Sequence, residues 1–176
     1  PKSYRMGLEV NGNVKLGSIF SIAANAALSR NKVLDYHAVT YDSNYVAHTQ
    51  LFNKTDISFS PSFVGGLTLT IQPVKNLNVD ILGKYVSRQY MDNTSSRNGS
   101  LDPYFVSNLR ISYAVPHTLF RELGLQFMLN NILNARYEPN GSTYSSYDLK
   151  SNSVAYDNYY YPMAGINFFA GVTVGF

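Results

Sequence analysis

Apolar side chains recur at every second position in one run after another. Met6, Leu8, Val10, Gly12 and Val14 form a first line, with Arg5, Glu9, Asn11, Asn13 and Lys15 between them. Phe20, Ile22, Ala24, Ala26 and Leu28 then alternate with Ser21, Ala23, Asn25, Ala27 and Ser29. A third run sets Phe63, Gly65, Leu67, Leu69 and Ile71 against Val64, Gly66, Thr68, Thr70 and Gln72, and a fourth sets Leu77, Val79, Ile81, Gly83 and Tyr85 against Asn78, Asp80, Leu82, Lys84 and Val86. The fifth places Phe105, Leu109, Ile111, Tyr113 and Val115 opposite Val106, Asn108, Arg110 and Ser112; the sixth places Leu123, Leu125, Phe127 and Leu129 opposite Gly124, Gln126, Met128 and Asn130. The last run, Asn167 to Phe176, separates Phe168, Ala170, Val172, Val174 and Phe176 from Asn167, Phe169, Gly171, Thr173 and Gly175. Successive side chains of a strand point to opposite faces, so this period predicts seven strands, each with one oily and one wet side.

The connections alternate too. Those over 16–19, 73–76 and 116–122 are short, whereas those over 30–61, 90–103 and 136–162 are long and rich in Asn, Ser, Asp, Tyr and Gly. In an up-and-down antiparallel sheet every short turn then lies at one end and every long loop at the other. Outer-membrane barrels have that asymmetry, with short periplasmic turns and longer extracellular loops. The expected fold class is therefore all-β, an antiparallel up-and-down transmembrane β-barrel segment whose last strand finishes at the periplasmic rim.

Composition agrees with this and narrows the function classes. Fifteen Tyr and ten Phe stand beside no Trp and no Cys, and charged residues make up only 14%. Such residues suit strands and turns better than helices. Without Cys there is no disulfide framework, thiolate metal site or Cys nucleophile. The formal charge is +3, with no Lys/Arg cluster of the kind that tracks a nucleic-acid backbone, so no nucleic-acid partner is expected. No run approaches the roughly 20 apolar residues of a membrane-spanning helix, but a barrel strand needs only about ten alternating ones. The chain begins at Pro1 without a signal peptide, which is expected of a mature or excised piece of something longer. Seven is also an odd number, and single-chain bacterial barrels have even ones.

Three segments, taken in order, carry a resemblance: YVSRQYMDNTSSRNGSLDPYFVSNLRISY (85–113), LQFMLNNILNARYEPNG (125–141) and YYPMAGINFFAGVTVGF (160–176). Together they resemble the C-terminal barrel segment of TonB-dependent outer-membrane receptors, in a style common among Bacteroidetes-type members. The resemblance implies that residues 1–176 form about seven strands of a barrel of about 22, the size of the plugged outer-membrane transporters. It implies active nutrient uptake, with a siderophore or other metal chelate, haem or cobalamin favoured as the substrate. The implied partners are outer-membrane lipid, the rest of the barrel and its plug, the TonB protein through a Ton box, and the outer-membrane assembly machinery; a surface lipoprotein partner is left open. Neither plug nor Ton box is found in these residues, so this chain alone is not expected to gate. Gly171, Val174 and Phe176 match the glycine, penultimate hydrophobic and terminal aromatic positions of the C-terminal assembly signal. Phe169, where a polar residue is usual, and Val174, where an aromatic is common, depart from it.

Candidate contact residues follow from facing and position. Arg5, Glu9, Lys15, Asp80, Lys84, Arg88 and Arg110 fall on the wet face, where they either touch plug and substrate or simply make a polar wall. Arg88, Tyr90, Arg110 and Tyr104 are the candidates for substrate or plug contact. Tyr36, Tyr41, Tyr45, Tyr156, Tyr159, Tyr160 and Tyr161 lie at strand ends or in long loops, where an aromatic girdle explains many of them. His37 and His48 share the loop after Leu28 but lack a third ligand at metal spacing, so no metal or cofactor is assigned. Four sequons, at Asn53, Asn93, Asn98 and Asn140, lie in long loops and are assigned no glycans. No nucleophile-elbow pattern occurs, and the chain is read as a non-enzyme. The alternative reading is a passive porin or small free-standing barrel, structural, adhesive or, at a lower weight, enzymatic.

Overall fold

The computed structural model describes residues 2–116 and 119–176. Seven long strands form one antiparallel meander in chain order: β1 (Lys2–Leu16), β2 (Phe20–Tyr41), β4 (Phe63–Val74), β5 (Leu77–Val86), β8 (Tyr104–Ala114), β9 (Glu122–Asn130) and β12 (Asn167–Gly175). β1 and β12 are the two edges, and no pairing joins them among the described residues.

The register places like against like. On one face Ala24 stands opposite Leu67, Leu69 opposite Ile81, Ile81 opposite Leu109, Ile111 opposite Phe127 and Leu125 opposite Val172. On the other, Thr70 stands opposite Asp80, Asp80 opposite Arg110, and Gln126 opposite Gly171. A slip of one residue in any strand would turn its apolar set to the wet side, which is why the alternation fixes this pairing. The apolar face has no covering layer: Met6, Leu8, Val10, Val172 and Phe168 are all exposed.

Two of the short turns lie within the described residues and are as expected. The β4–β5 turn is tight, with Asn76 in the left-handed region at φ 69°, which Asn tolerates better than most residues. In the third, predicted over 116–122, positions 117 and 118 lie outside the described residues.

The long connections are where the structure departs from expectation, because they contain strands. β2 continues to Tyr41 and folds back through β3 (Ala47–Asp56), which pairs only with its outer half. Residues 89–101 hold two-residue strands β6 (Gln89–Tyr90) and β7 (Ser100–Leu101) around a short 3-10 turn, η1 (Arg97–Gly99). Residues 140–161 form a separate hairpin, β10 (Asn140–Asp148) with β11 (Ser153–Tyr161). The sequences of these segments carry no apolar alternation. β3 makes the main sheet eight-stranded without adding a strand to the seven-strand path.

Candidate functional site

Three segments meet at the long-loop end of the sheet: the β2–β3 hairpin, the 87–103 connection and the β10–β11 hairpin. The alternation of β2 changes phase on the way up. Asn31 and Val33 are buried at odd positions; beyond Asp35, at φ 52°, the exposed residues are odd and Thr40 is buried. The hairpin is closed by Asp42, whose Oδ1 accepts from the backbone N–H groups of Asn44 (2.8 Å) and Val46 (3.0 Å), while Oδ2 meets His48 Nε2 at 2.9 Å. The hydrogen bond to His48, then that from Val46, holds the Asp42 carboxyl below the usual carboxylate range. His48 in turn stacks flat on Tyr147 of β10, with ring centroids 3.8 Å apart and 4° between planes.

The middle connection is stitched to both hairpins. Asp56, which pairs with Lys32, accepts from Ser95 Oγ at 3.0 Å, and its backbone N–H donates back to the same oxygen at 2.7 Å. Ser58 N–H donates to Asn93 Oδ1 at 2.8 Å. On the other side Asn158 Nδ2 donates to the carbonyl of Asn98, and Tyr156 OH lies 3.4 Å from Thr94 Oγ1. Beneath them Leu101, 1% exposed, and Met91 pack against Gly141. A Cβ at Gly141 would lie 2.8 Å from the Tyr159 carbonyl and 2.9 Å from Met91 Sδ, so only glycine allows this approach.

A cavity of about 760 Å³ opens between the three segments, lined by Thr40, His48, Gln50, Phe52, Thr94, Ser96, Asn98, Tyr147, Asn152 and Tyr156 among others. That volume is typical of small-molecule sites. Its lining contains no Lys, Arg, Asp or Glu.

The four residues predicted to make contact do not converge on it. Arg88 lies beyond the end of β5, not on it. Its Nη1 donates to Ser100 Oγ at 2.9 Å and its Nη2 pairs with Asp102 at 2.9 Å. Tyr90 pairs with Ser100, and its carbonyl accepts from Phe59 N–H. Tyr104 begins β8 and stacks on Tyr137, centroids 4.6 Å apart. Arg110 lies further down the wall, where its Nε and Nη2 donate to Asp80 Oδ2 at 2.9 and 2.8 Å, while Thr70 donates to Asp80 Oδ1 at 2.6 Å. Of the other wet-face charges, Arg5 reaches Ser60, and the side chains of Glu9, Lys15 and Lys84 have no hydrogen bond or ion pair among the described residues. His37 stands opposite Leu51 and His48 opposite Thr40, so the two histidines do not face each other. Among the described residues no three His, Asp or Glu side chains gather as metal ligands would. The cavity residues Gln50, Phe52, Asn98, Tyr147 and Asn152 gave no motif in the sequence; they lie in segments read there as loop.

The motifs behind the family resemblance act as ties between loop and wall. Arg88 and Asp102 close the 87–103 connection. Asn131, 2% exposed, holds the exit of β9: its N–H donates to Asn108 Oδ1, its Oδ1 accepts from Ala135 N–H, and its Nδ2 reaches the carbonyls of Ala135 and Ala164. At the terminal strand a Cβ on Gly171 would come within 3.3 Å of the Phe169 ring, and Phe176 meets Phe120 edge-on at 5.6 Å. Phe169 thus supplies a packing reason for Gly171.

No family model matches the chain, and no curated protein does. Solved structures do. The siderophore receptor PiuA from Acinetobacter baumannii matches over 97% of this chain, with a TM-score of 0.71 and 16% identity. The chain spans 21% of that receptor's length, about a fifth of it. The ferric-catecholate import receptor Fiu from K12 E. coli, in its closed form, matches over 96% of this chain and 27% of its own at 13% identity, with a TM-score of 0.49 too low to carry anything further. The chain therefore has the fold of a siderophore-receptor segment, an all-β up-and-down barrel wall.

Proposed function

We propose that this chain is the C-terminal wall of a TonB-dependent receptor of the outer membrane, with the long loops facing outside and capturing a metal chelate. The observation that carries the reading is the uncovered apolar face, continuous across all seven strands in register, in a fold that a siderophore receptor shares over nearly the whole chain. In water such a face would be an aggregation surface; in a bilayer it is the side that meets lipid. The open edges β1 and β12 are then joined by further strands of the same barrel, since an unpaired edge cannot persist in hydrocarbon. Around the wall the reading places a plug, TonB acting through a Ton box, and the assembly machinery engaging Gly171, Val174 and Phe176. Haem and cobalamin stand behind a siderophore as substrates, and the Bacteroidetes-type style rests on the sequence motifs alone.

The test is uptake of radiolabelled ferric chelate by cells expressing the full-length protein. Receptor-mediated transport is expected to stop when a protonophore collapses the proton gradient. Uptake that continues unchanged identifies a passive porin and sinks the reading.

A further inference from the structure

We propose that the cavity between the three long-loop segments selects an uncharged iron chelate rich in amide and hydroxyl groups, of the tris-hydroxamate class, over a polyanionic tricatecholate. This rests on the receptor reading above and adds a charge rule to it. Three hydroxamates, each losing one proton, balance a ferric ion; three catecholates, each losing two, leave a triple negative charge.

The lining fits the first and opposes the second. Its free hydrogen-bonding groups are neutral: the side chains of Gln50 and Asn98, and Nδ2 of Asn152, have no hydrogen-bond partner among the described residues. Phe52, Tyr147 and Tyr156 add aromatic surface for the apolar parts of a ligand. Arg97, between Ser96 and Asn98, is exposed and does not line the cavity. Behind the lining stand three carboxylates, one of them paired with a lysine. Asp42 stands behind His48 at 2.9 Å, Asp92 behind Thr94 at 2.6 Å, and Asp56, paired with Lys32, behind Ser95 at 3.0 Å. An anion moved against these residues loses hydration and meets no Lys or Arg of the lining, whereas a neutral chelate exchanges water for amide and hydroxyl bonds.

The experiment is equilibrium binding to the full-length, detergent-purified protein, with ferrichrome as the neutral ferric tris-hydroxamate and ferric enterobactin as the tricatecholate, each at low and high salt. Ferrichrome is expected to bind more tightly, with an affinity insensitive to salt. Gln50→Lys, at an exposed position, is expected to raise ferric enterobactin affinity at least about tenfold, the equivalent of one hydrogen bond to a charged group, without tightening ferrichrome. Tighter, salt-dependent binding of ferric enterobactin by the unaltered protein overturns the charge rule and leaves the receptor reading standing. So does a Gln50→Lys variant whose affinities both stay unchanged. If neither chelate binds, the charge rule fails, and the receptor reading stands or falls on its own protonophore test.

Discussion

The wall and the long-loop layer are built on opposite plans from one chain. In the wall, apolar side chains point away from the protein: Leu8 is 61% exposed and Val172 66%. In the layer two of them turn inward, Leu101 at 1% and Met91 at 7%, while others such as Leu51 and Tyr144 stay exposed. The other buried apolar residues among those described, Val33 and Val86, also lie toward the long-loop end. The wall is thus held by its hydrogen-bonded ladders and, in the membrane setting proposed for it, by a lipid solvent that makes every unpaired backbone group expensive. The layer is held as a soluble domain is, by a small packed nucleus and side-chain ties.

This contrast is sharpest under substitutions chosen to act on one plan alone. The largest effect is expected from Leu69→Arg in the middle of the apolar face, opposite Ile22 and Ile81. In a bilayer it should cost about 2–4 kcal/mol, against a small cost for Thr68→Arg on the wet face one residue away. Denaturant unfolding of the full-length protein in liposomes measures both; equal costs would mean that the apolar face does not meet lipid. Next is Leu101→Ala, expected to cost about 2–3 kcal/mol through its cavity, at the lower end for a buried leucine because loops can partly collapse. Its signature is local: hydrogen exchange should rise over 87–103 and 140–161 while the strands of the wall stay protected.

Legibility followed the same division. The seven wall strands could be read because a two-sided environment imposes period two, and the observed register pairs the expected apolar positions with one another. β3, β10 and β11 could not, since they carry no apolar alternation and Thr, Tyr, Ser and Asn serve strand and loop alike. Arg88 was legible as an important cation but not as the partner of Asp102 and Ser100, because the closure of a loop is not written in spacing. Asn131 shows the reverse case: the motif around it was recognised, and its physical content, a buried side chain serving one N–H and two carbonyls, appeared only with the coordinates. The cavity was missed because Gln50, Asn98 and Asn152 belong to three separate segments, and only the meeting of those segments gives their chemistry a common target.

A smaller effect distinguishes the two sides of the wall. Asp80 is 5% exposed and accepts from Thr70 and twice from Arg110, whereas Arg110 itself is only partly covered. Asp80→Asn keeps the shape and removes the charge. It is expected to cost roughly 1–2 kcal/mol, since the guanidinium can regain water on its open side. A double-mutant cycle with Arg110→Gln measures the coupling; none would show that the wet face tolerates its charges singly.

The smallest expected effect is a pH dependence confined to the layer. Among the described residues Asp42 is the only carboxylate bonded to His48, and its ionised form accepts from that ring and from the N–H groups of Asn44 and Val46. These bonds lower its pKa in the folded protein. A lowered folded pKa means that the stabilisation is fully present above the unfolded value, near 3.8, and disappears as pH falls through the lower, folded one. The β2–β3 turn should therefore stay protected from hydrogen exchange through mildly acidic pH and open only well into acid, after correction for intrinsic exchange rates, while β4 and β5 remain closed. Asp42→Asn should abolish that acid step, because an amide keeps an acceptor but has no proton to gain. If the step persists in the variant, another group controls the opening, and the tie from Asp42 through His48 to Tyr147 does not hold the layer together.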